Sequence, residues 1–328
     1  MLRVNDFFCG AGGMGLGFKQ AGFRIAGAWD FDKYAVESYG NNVSPKVKQM
    51  DILQLKGEDI PYADVWIFGF PCQDISVAGK RAGMVKGKTR SGLFYEVMRL
   101  LDEIEQKPMV IIAENVGAVK PLLPEIEKEY IKQGYRMITA LYNSKYWGLP
   151  QNRERYFIMG VRENLKNAFS LPVEQAEIKV RLSNILEKEV DNKYLVTNPN
   201  AMSAIKDAYK NFLCDTDLEP PRIKPLGIIK QYGENGKIHS PYGLVGALKA
   251  TCYKNPKIVV DPITKQVRRL TPREYARLQG FPDSFKLVVS DTQLYKQFGN
   301  AVTVIISKAI ATHIKQQLDN ELGFYKVS

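Results

Sequence analysis

The chain has 328 residues, of which 45% are hydrophobic, 25% charged and 11% aromatic, so it can bury a core and is not mainly disordered. Its two histidines, His239 and His313, lie far apart, and its four cysteines form no CxxC pair, which excludes a histidine-rich metal site and argues against a zinc finger or a disulfide framework. The net charge of +11, with no acidic residue from 75 to 95, fits a polyanion partner such as nucleic acid, and equally a surface that is only solubilising.

The N-terminal half alternates between strand-like and helix-like segments. The segment 108–115, PMVIIAEN, is almost wholly apolar, which predicts a strand buried on both faces of a sheet. The segment 92–107 has apolar residues at helical spacing. Strands are predicted at 2–8, 23–29, 63–70, 108–115 and 155–161. This alternation predicts an α/β fold with a doubly wound, mostly parallel sheet.

The pattern changes in the second half of the chain, which indicates a division into domains. Scattered prolines, glycines and short strand-like runs predict a smaller, irregular domain at 175–265. Thr271 and Pro272 are typical of a helix start, and an amphipathic helix is predicted at 303–319. We therefore predict a first domain at 1–174 and a C-terminal segment, 266–328, that returns to it.

A glycine-rich loop, Phe8 to Gly13, follows the first predicted strand. Glycines there let the backbone approach a ligand, although many α/β proteins use such loops only for packing. Asp30 and Phe31 end the second strand, where a doubly wound fold holds ribose hydroxyls and an aromatic ring could stack on adenine. Asp51 follows a third candidate strand and could accept a hydrogen bond from an adenine amino group. Together these residues favour an adenosine-bearing cofactor over packing alone.

Cys72 ends the fourth strand, at the edge where open α/β sheets bind ligands. A free cysteine is most often a buried structural thiol. Pro71 and the polar Gln73 close the strand, however, which puts Cys72 at its mouth, and the basic loop that follows would stabilise a thiolate. No histidine is near in sequence to form a papain-like pair. We interpret Cys72 as a candidate nucleophile.

Glu114 ends the next strand, and Arg153 and Arg155 stand at the start of the strand after it. An acid that emerges from a hydrophobic strand could stay protonated and donate a hydrogen bond to a ring nitrogen, or it could be only a helix-capping or structural carboxylate. Arginines at such positions usually form surface ion pairs, but near an anionic or carbonyl-bearing substrate they bind its oxygen atoms. The residues by themselves leave both alternatives open.

Six motifs stand in order along the chain: FFCGAGGMGLGF, GFPCQDIS, ENV, QNRER, RRLTPREYARLQGFP and QFGNAV. In this order and spacing they resemble the signature motifs of DNA (cytosine-5) methyltransferases, above all those of short bacterial restriction-modification enzymes. They run from residue 7 to 302 and leave the region 175–265 as the variable part. The resemblance implies the fold of S-adenosylmethionine-dependent methyltransferases, with a catalytic and cofactor-binding domain at 1–174 and a target-recognition domain at 175–265.

The resemblance also implies roles for individual residues. Cys72 would be the nucleophile that adds to C6 of cytosine, Glu114 the acid that bonds N3 and the exocyclic amine, and Arg155 the guanidinium at O2. Arg153 would help to place the nucleophile. The residues implied around S-adenosylmethionine are Phe8, Cys9, Gly10, Ala11, Gly12, Gly13, Asp30, Phe31, Asp51, Ile52, Pro71, Leu93, Asn300 and Val302. Those expected to bind DNA are Gln73, Ser76, Lys80, Arg81, Lys86, Lys88, Arg90, Lys237 and His239.

The chemistry explains why a thiol is needed. Cytosine C5 is too weak a nucleophile to accept a methyl group directly, but thiolate addition at C6 turns the ring into an enamine that can attack a sulfonium methyl. The C5 proton then leaves and the thiolate is eliminated. A base inside a duplex cannot reach such a pocket, so we expect it to be flipped out, with 79–90 as a mobile loop that closes over it. The predicted product is S-adenosylhomocysteine, and no metal is predicted.

The sequence departs from the family's pattern at three places. Asp30 stands where glutamate is more common, and its side chain, although one methylene shorter, can still accept hydrogen bonds from hydroxyls. Ala247-Leu248 stands where a Thr-Leu pair is often found, which leaves the base-reading residues unassigned. Cys9 occupies a position where small residues are common, and we interpret it as structural.

Three alternatives remain beside methylation of double-stranded DNA. The same chemistry could act on tRNA, the fold could serve a non-catalytic DNA- or cofactor-binding protein, or the glycine loop could belong to a nucleotide-dependent oxidoreductase. The joint presence of Cys72, Glu114 and Arg155 argues against the second, and the GFPCQ and ENV motifs have no role in the third.

The expected surroundings of the protein follow from its sequence and from the resemblance. No apolar run is long enough to span a membrane and no secretory signal is present, so we expect a cytoplasmic protein. The expected partners are double-stranded DNA and a separate cognate restriction endonuclease. We expect a monomer, which suits an enzyme that encloses one flipped base.

Overall fold

The computed structural model describes residues 1–71, 84–85, 87–174, 179–215 and 219–324. The chain divides into two units. The first comprises Met1–Tyr142, Glu154–Val173 and Val302–Ser328, and the second comprises Asn143–Arg153 and Glu174–Ala301. The range predicted as a second domain, 175–265, therefore lies inside a larger unit, and of the predicted C-terminal segment the part that returns to the first unit is 302–328.

A seven-stranded sheet organises the first unit, and the predicted α/β class is confirmed. The strands up to residue 162 are β1 (Arg3–Phe7), β2 (Arg24–Asp30), β3 (Val47–Gln49), β4 (Val65–Gly69), β5 (Val110–Val116), β6 (Tyr135–Asn143), β7 (Gln151–Asn152) and β8 (Glu154–Arg162). All except β7 belong to this sheet, in the order β3-β2-β1-β4-β5-β8-β6. Strands β1 to β5 are parallel to one another, and β8 runs antiparallel to β5. The sheet is therefore mostly parallel, as predicted.

The composition of the central strands explains their position. The side chains from Val110 to Ala113 in β5 are all completely buried, as expected for a strand covered on both faces. The helices are α1 (Gly13–Gln20), α2 (Lys33–Asn42), α3 (Phe94–Glu103), α4 (Leu123–Lys132), α5 (Met202–Leu213), α6 (Pro272–Leu278), α7 (Asp291–Asn300) and α8 (Val304–Phe324). Of the helices in the described ranges, none combines the length and the apolar character needed to cross a membrane.

Glycines in α1 let α8 pack closely against it. A Cβ atom at Gly13 would lie 2.1 Å from the backbone oxygen of Val302, and one at Gly17 would lie 2.6 Å from the side chain of Ser307. The Ser307 hydroxyl donates to the backbone oxygen of Met14 at 2.8 Å. Part of the glycine cluster therefore serves helix packing, which is the alternative that the sequence leaves open beside ligand binding.

The second unit has its own sheets and core. Strands β9 (Pro225–Ile228), β10 (Lys237–His239), β12 (Ile258–Val260) and β13 (Val267–Arg269) form a sheet in the order β13-β12-β10-β9, and β11 (Val245–Gly246) pairs with β7. Helix α5 packs Ala208 and Phe212 into a core with Ile238 and Val260. The region is therefore more regular than predicted, because the scattered prolines lie outside this 12-residue helix.

A buried charge network holds the segment from Asp261 to Glu274 together. The guanidinium of Arg268, which is 2% exposed, donates to Asp261 Oδ2 at 2.8 Å and to both carboxylate oxygens of Glu274 at 2.9 and 2.8 Å. Glu274 also accepts the backbone N–H of Thr271 at 2.8 Å, as part of a capping box that begins α6. The sequence motif RRLTPREYARLQGFP, which contains Arg268, Thr271 and Glu274, thus contributes to the structure of the second unit.

Replacing Arg268 with alanine is expected to lower the free energy of unfolding of the second unit by about 3–5 kcal/mol, because two buried carboxylates lose their counter-charge. Urea denaturation followed by circular dichroism measures this loss. The neighbouring Arg269 is only partly buried, so Arg269→Ala serves as the control and should change the free energy by at most about 0.5 kcal/mol. Equal losses in the two variants would contradict the prediction.

Candidate active site

The glycine-rich loop between β1 and α1 has an unusual backbone. Phe8 lies in the left-handed region with φ of 53°, although it is not a glycine, and Gly10 and Gly12 have φ of 52° and 93°. A non-glycine residue in this region costs conformational energy, and such residues cluster at functional sites. The conformation thus makes the loop a candidate ligand-binding element, as predicted from its sequence.

Asp30 joins the end of β2 to this loop. Its Oδ2 accepts the backbone N–H of Gly10 at 2.8 Å, and its Oδ1 accepts the backbone N–H of Asp32 at 2.9 Å. Burial raises the pKa of Asp30 above its ordinary value, whereas the two amide hydrogen bonds act in the opposite direction. Each oxygen still has a second lone pair, so the carboxylate can also accept hydrogen bonds from a ligand.

A cavity with an empty volume of about 370 Å³, open solvent at its mouth included, lies at the carboxyl edge of the sheet. Seven predicted cofactor residues line it: Phe8, Asp30, Phe31, Asp51, Ile52, Pro71 and Leu93. The ring of Phe31 is 74% exposed, so its face is available to a planar ligand. Predicted residues from the ends of four strands, β1 to β4, are therefore brought together around one cavity.

The sequence analysis did not identify three lining residues, which are Phe7, Trp29 and Met50. The rings of Phe7 and Trp29 stack with their centroids 4.9 Å apart, and both are almost completely buried. Each of the three directly precedes a residue that was predicted. Their pattern in the sequence is that of core residues, so the signal for a ligand contact is confined to their position beside Phe8, Asp30 and Asp51.

A buried polar group lies beneath the glycine loop. The Tyr39 hydroxyl donates to Asp6 Oδ2 at 3.1 Å, and Cβ atoms at Gly12 or Gly15 would collide with the Tyr39 ring or hydroxyl. Burial raises the pKa of Asp6 to about 8, and it also raises the pKa of the Cys9 thiol well above its ordinary value. A buried thiol of this kind is unreactive, which supports the interpretation of Cys9 as structural.

The remaining predicted cofactor residues occupy different surroundings. Val302 is buried and its backbone packs against Gly13, as described above. Asn300 is the exposed last residue of α7 and belongs to the second unit. The roles of both residues toward a cofactor stay predictions.

Glu114 and Arg155 form an ion pair near the C-terminal end of β5 and the N-terminal end of β8. Strands β5 and β8 run antiparallel here, with Val116 opposite Arg155, so the guanidinium reaches back to the carboxylate. The Nε atom of Arg155 lies 3.1 Å from Glu114 Oε1, and the two side chains are 17% and 10% exposed. The pair thus combines hydrogen-bond donors and acceptors in a largely desolvated place, where their interactions with a substrate are strong.

The strand that leads to Cys72 is fixed by its neighbour. In the parallel pairing of β4 and β5, Gly69 lies opposite Glu114. The buried Asn115 side chain donates to the backbone oxygen of Phe70 at 3.1 Å, which anchors the residue just before Pro71. Cys72 itself lies outside the described residues. The contribution of Asn115 was not recognised from the sequence, although the residue is part of the ENV motif.

Arg153 has a structural role within the second unit. It is 2% exposed, and its guanidinium donates to the backbone oxygens of Leu248 and Ala301, both at 2.9 Å. These bonds join Arg153, the residue that follows β7, to the segment that follows β11 and to the segment that follows α7. The predicted effect of Arg153 on the placement of Cys72 stays a prediction.

The residues predicted to bind DNA fall into three groups. Gln73, Ser76, Lys80, Arg81, Lys86 and the side chain of Arg90 lie outside the described residues. Lys88 and Lys237 are exposed, as DNA contact requires. His239 is 2% exposed in β10, so its ring cannot reach DNA in this conformation, and its predicted role is not retained.

The burial of His239 predicts an effect of pH on stability. Burial, with smaller contributions from Lys257 and Lys237, lowers the pKa of His239 to about 3 from an ordinary value of 6.5. The unfolded chain then binds a proton below pH 6.5 that the folded chain does not, so stability falls as the pH falls from 6.5 toward 3. At pH 5 the expected loss from this group is about 2 kcal/mol relative to pH 7.5.

Thermal unfolding at the two pH values tests this prediction. His239→Leu should remove the loss, because leucine carries no proton and the described residues offer neither ring nitrogen a hydrogen-bond partner. His313→Gln, at the other histidine, is the control and should retain it. An unchanged acid sensitivity in His239→Leu would exclude His239 as the cause.

Solved structures and curated relatives identify the class of this fold and then the family. The chain superimposes on the Dnmt2 methyltransferase of S. pombe with a TM-score of 0.74 at 21% identity, covering 97% of this chain and 100% of the other. For the methyltransferase EhMeth of Entamoeba histolytica the TM-score is 0.71 at 19% identity, with 97% and 99% covered. The chain therefore has the fold of these methyltransferases.

The family follows from the sequence comparisons. The model of the family described as C-5 cytosine-specific DNA methylase matches residues 2–316. The Type II methyltransferase M.NlaX of Neisseria lactamica is 34% identical over 97% of both chains, and M.HhaI of Haemophilus parahaemolyticus is 30% identical over 97% of this chain and 95% of its own. The chain belongs to the C-5 cytosine-specific DNA methylase family. It is a DNA (cytosine-5) methyltransferase that uses S-adenosylmethionine.

Proposed function

We propose that this methyltransferase acts on a specific sequence of double-stranded DNA, as the modification enzyme of a restriction-modification system with a separate cognate endonuclease. Support comes from curated relatives named Type II methyltransferases that match it at 30–34% identity over nearly their whole length. The net charge of +11 is in keeping with a phosphate-rich substrate. The enzyme would act as a cytoplasmic monomer.

The cavity at the sheet edge is the proposed site of S-adenosylmethionine, which supplies a methyl group on a sulfonium when it is bound. Its residues suit an adenosine group, since they combine exposed and buried aromatic rings with two carboxylates. Asp30 would accept from ribose hydroxyls through its remaining lone pairs, so the shorter side chain can still serve. Phe31 would stack on adenine and Asp51 would accept from its amino group, while Ile52, Pro71 and Leu93 supply apolar contacts. Asn300 and Val302 complete the proposed set.

The observation that carries the catalytic proposal is the Glu114–Arg155 pair beside the strand that leads to Cys72. Glu114 would bond N3 and the exocyclic amine of cytosine, and Arg155 would bond O2, so both stabilise the charge that develops on the ring. The Cys72 thiolate would form a bond to C6, which makes C5 nucleophilic. After C5 has gained the methyl group, it loses its proton, and the electron pair expels the thiolate.

Access to a paired base requires base flipping. The residues proposed to hold the opened DNA are Gln73, Ser76, Lys80, Arg81, Lys86, Lys88, Arg90 and Lys237. Lys88 and Lys237 have the exposure that this role needs. The stretch 79–90 would close over the flipped cytosine, and 175–265 would read the neighbouring bases.

Bisulfite sequencing of plasmid DNA exposed to the protein and its cofactor tests this proposal. Protection of one cytosine within a recurrent motif is the expected result, and it gives reaction, substrate and target sequence together. A parallel assay with labelled cofactor compares duplex DNA with tRNA. Labelling of tRNA alone would overturn the choice of substrate, and labelling of neither would favour a non-catalytic DNA-binding protein.

A further inference from the structure

One wall of the cavity is a short loop that follows β3. Met50, Asp51 and Ile52 line the cavity, and Leu55 is 1% exposed in the core beneath. The bonds inside the loop are those of a turn, such as the backbone N–H of Leu53 to Asp51 Oδ1 at 3.0 Å. Turns of this kind are readily remodelled unless other elements hold them. The position of this wall therefore depends on what contacts it from outside.

Arg99, in the middle of α3, makes such a contact. One of its terminal nitrogens, Nη2, donates to the backbone oxygens of Ile52 and Leu55, both at 3.0 Å. The Arg99 side chain is 28% exposed, so these bonds are partly shielded from water. A single guanidinium thus holds the carbonyl of a lining residue and that of a core residue.

Two carboxylates on the same helix fix the Arg99 side chain in this position. Its Nε donates to Glu96 Oε2 at 2.7 Å and its Nη1 to Glu103 Oε1 at 2.6 Å. Glu103 in turn accepts the backbone N–H of Gly57 at 2.8 Å, beyond the end of the loop. A planar guanidinium can make all these bonds at once, whereas the ammonium of a lysine cannot reproduce this geometry.

The same helix also supports another wall of the cavity. Leu93, which directly precedes α3, lines the cavity, and Phe94, Leu100 and Leu101 are completely buried in the core. Helix α3 is therefore anchored by its apolar face and contacts the cavity at two places: through Leu93 at its start, and through Arg99 and the loop further along.

We propose that Arg99 is a positioning residue for the cofactor: it holds the loop 50–55 in its binding position and so raises the affinity of the site. Binding energy is lost when a loop has to be ordered by its ligand, so a loop that is held in advance binds more tightly. The inference rests on the proposed assignment of the cavity to S-adenosylmethionine. Arg99 acts through the loop and makes no contact with the reacting atoms.

The test uses Arg99→Lys in the full-length protein, with S-adenosylhomocysteine as the probe in calorimetry. The Kd is expected to rise about tenfold, and the KM for S-adenosylmethionine by a similar factor, whereas kcat stays within about twofold. In the ligand-free protein, hydrogen exchange of the backbone amides from 50 to 57 is expected to accelerate. This split between KM and kcat is not expected from a purely structural defect.

Arg136 provides a matched control within the same unit. Its guanidinium also donates to two backbone oxygens, those of Leu165 at 3.3 Å and Asn167 at 2.9 Å, and it is not among the residues that line the cavity. Arg136→Lys should lower the Tm about as much as Arg99→Lys does, while its Kd for S-adenosylhomocysteine stays within about twofold of the wild-type value. If Arg99→Lys does not fold, Glu103→Gln weakens the same anchor more mildly and should raise the Kd in the same direction.

Two results would overturn the inference. One is a folded Arg99→Lys protein with wild-type Kd, and the other is an equal loss of affinity in Arg136→Lys. Phe31→Ala separates this failure from failure of the proposed function. If the wild type does not bind the probe, the assignment of the cavity falls and the inference with it. If Phe31→Ala weakens binding and Arg99→Lys does not, the inference alone is wrong.

Discussion

Replacing Cys72 with serine is expected to reduce methyl transfer by at least about 10⁴-fold while DNA binding survives. A serine hydroxyl is hardly ionised at neutral pH, so it cannot add to C6 as a thiolate does. Transfer of labelled methyl groups to duplex DNA measures turnover, and a gel-shift assay measures binding. Retained turnover would contradict the role of Cys72 that was predicted from the mouth of the fourth strand.

Duplex DNA that carries 5-fluorocytosine gives a second readout for Cys72. Fluorine at C5 cannot leave as a proton does, so the wild-type enzyme should remain covalently attached to the DNA in the presence of its cofactor. The adduct should be absent with Cys72→Ser. Cys214 is an exposed free thiol in the second unit, so Cys214→Ser is the matched control and should still form the adduct. If the adduct is lost in Cys214→Ser and not in Cys72→Ser, the assignment of Cys72 as the nucleophile is wrong.

Replacing Glu114 with glutamine is expected to lower kcat by about 10²–10³-fold and to leave the KM for S-adenosylmethionine within about twofold. The amide keeps the size of the side chain, but it cannot carry the proton or the charge that the reacting ring requires. It also removes the charge that pairs with Arg155 at 3.1 Å. Single-turnover kinetics with saturating DNA measures the methyl-transfer step directly.

A substitution at Glu129 is the control for Glu114→Gln. Glu129 is also paired with a cation, Lys132, and both lie on α4 in the same unit. Glu129→Gln should leave both kinetic constants unchanged within about twofold, as expected for an exposed pair. A kcat for Glu114→Gln within tenfold of the wild type would exclude the proposed role of the carboxylate.

The sheet could be predicted wherever the sequence pattern has one interpretation. The apolar run at 108–115 corresponds to β5, and Thr271-Pro272 begins α6 with the expected cap. Strand β6 was missed because most of its middle residues are half-buried, so the sequence shows no clear alternation. Helix α5 was not predicted because prolines stand on both sides of it, a pattern typical of irregular structure, although Ala208 and Phe212 are spaced as on one face of a helix.

The cavity could be predicted in part because parallel strands end at a common edge. Asp30, Phe31 and Asp51 follow from that rule, and all three line the cavity. The contact of Asn115 with Phe70 and the charges around Arg268 depend on which side chains meet in the folded chain, and no local pattern specifies that. His239 illustrates the opposite error, because a histidine among basic residues looks like a DNA contact but lies inside a β-sheet.

The close packing of α8 on α1 has a consequence for the order of folding. The hydrogen bond from Ser307 to Met14 joins residues that are 293 positions apart in the chain. Contacts of such long range form late, since the entropy of closing the intervening chain opposes them. The stretch Glu174–Ala301, which forms most of the second unit, is synthesised before α8. That unit can therefore fold during translation, whereas the face of α1 that bears Gly13 and Gly17 stays exposed until α8 has been synthesised.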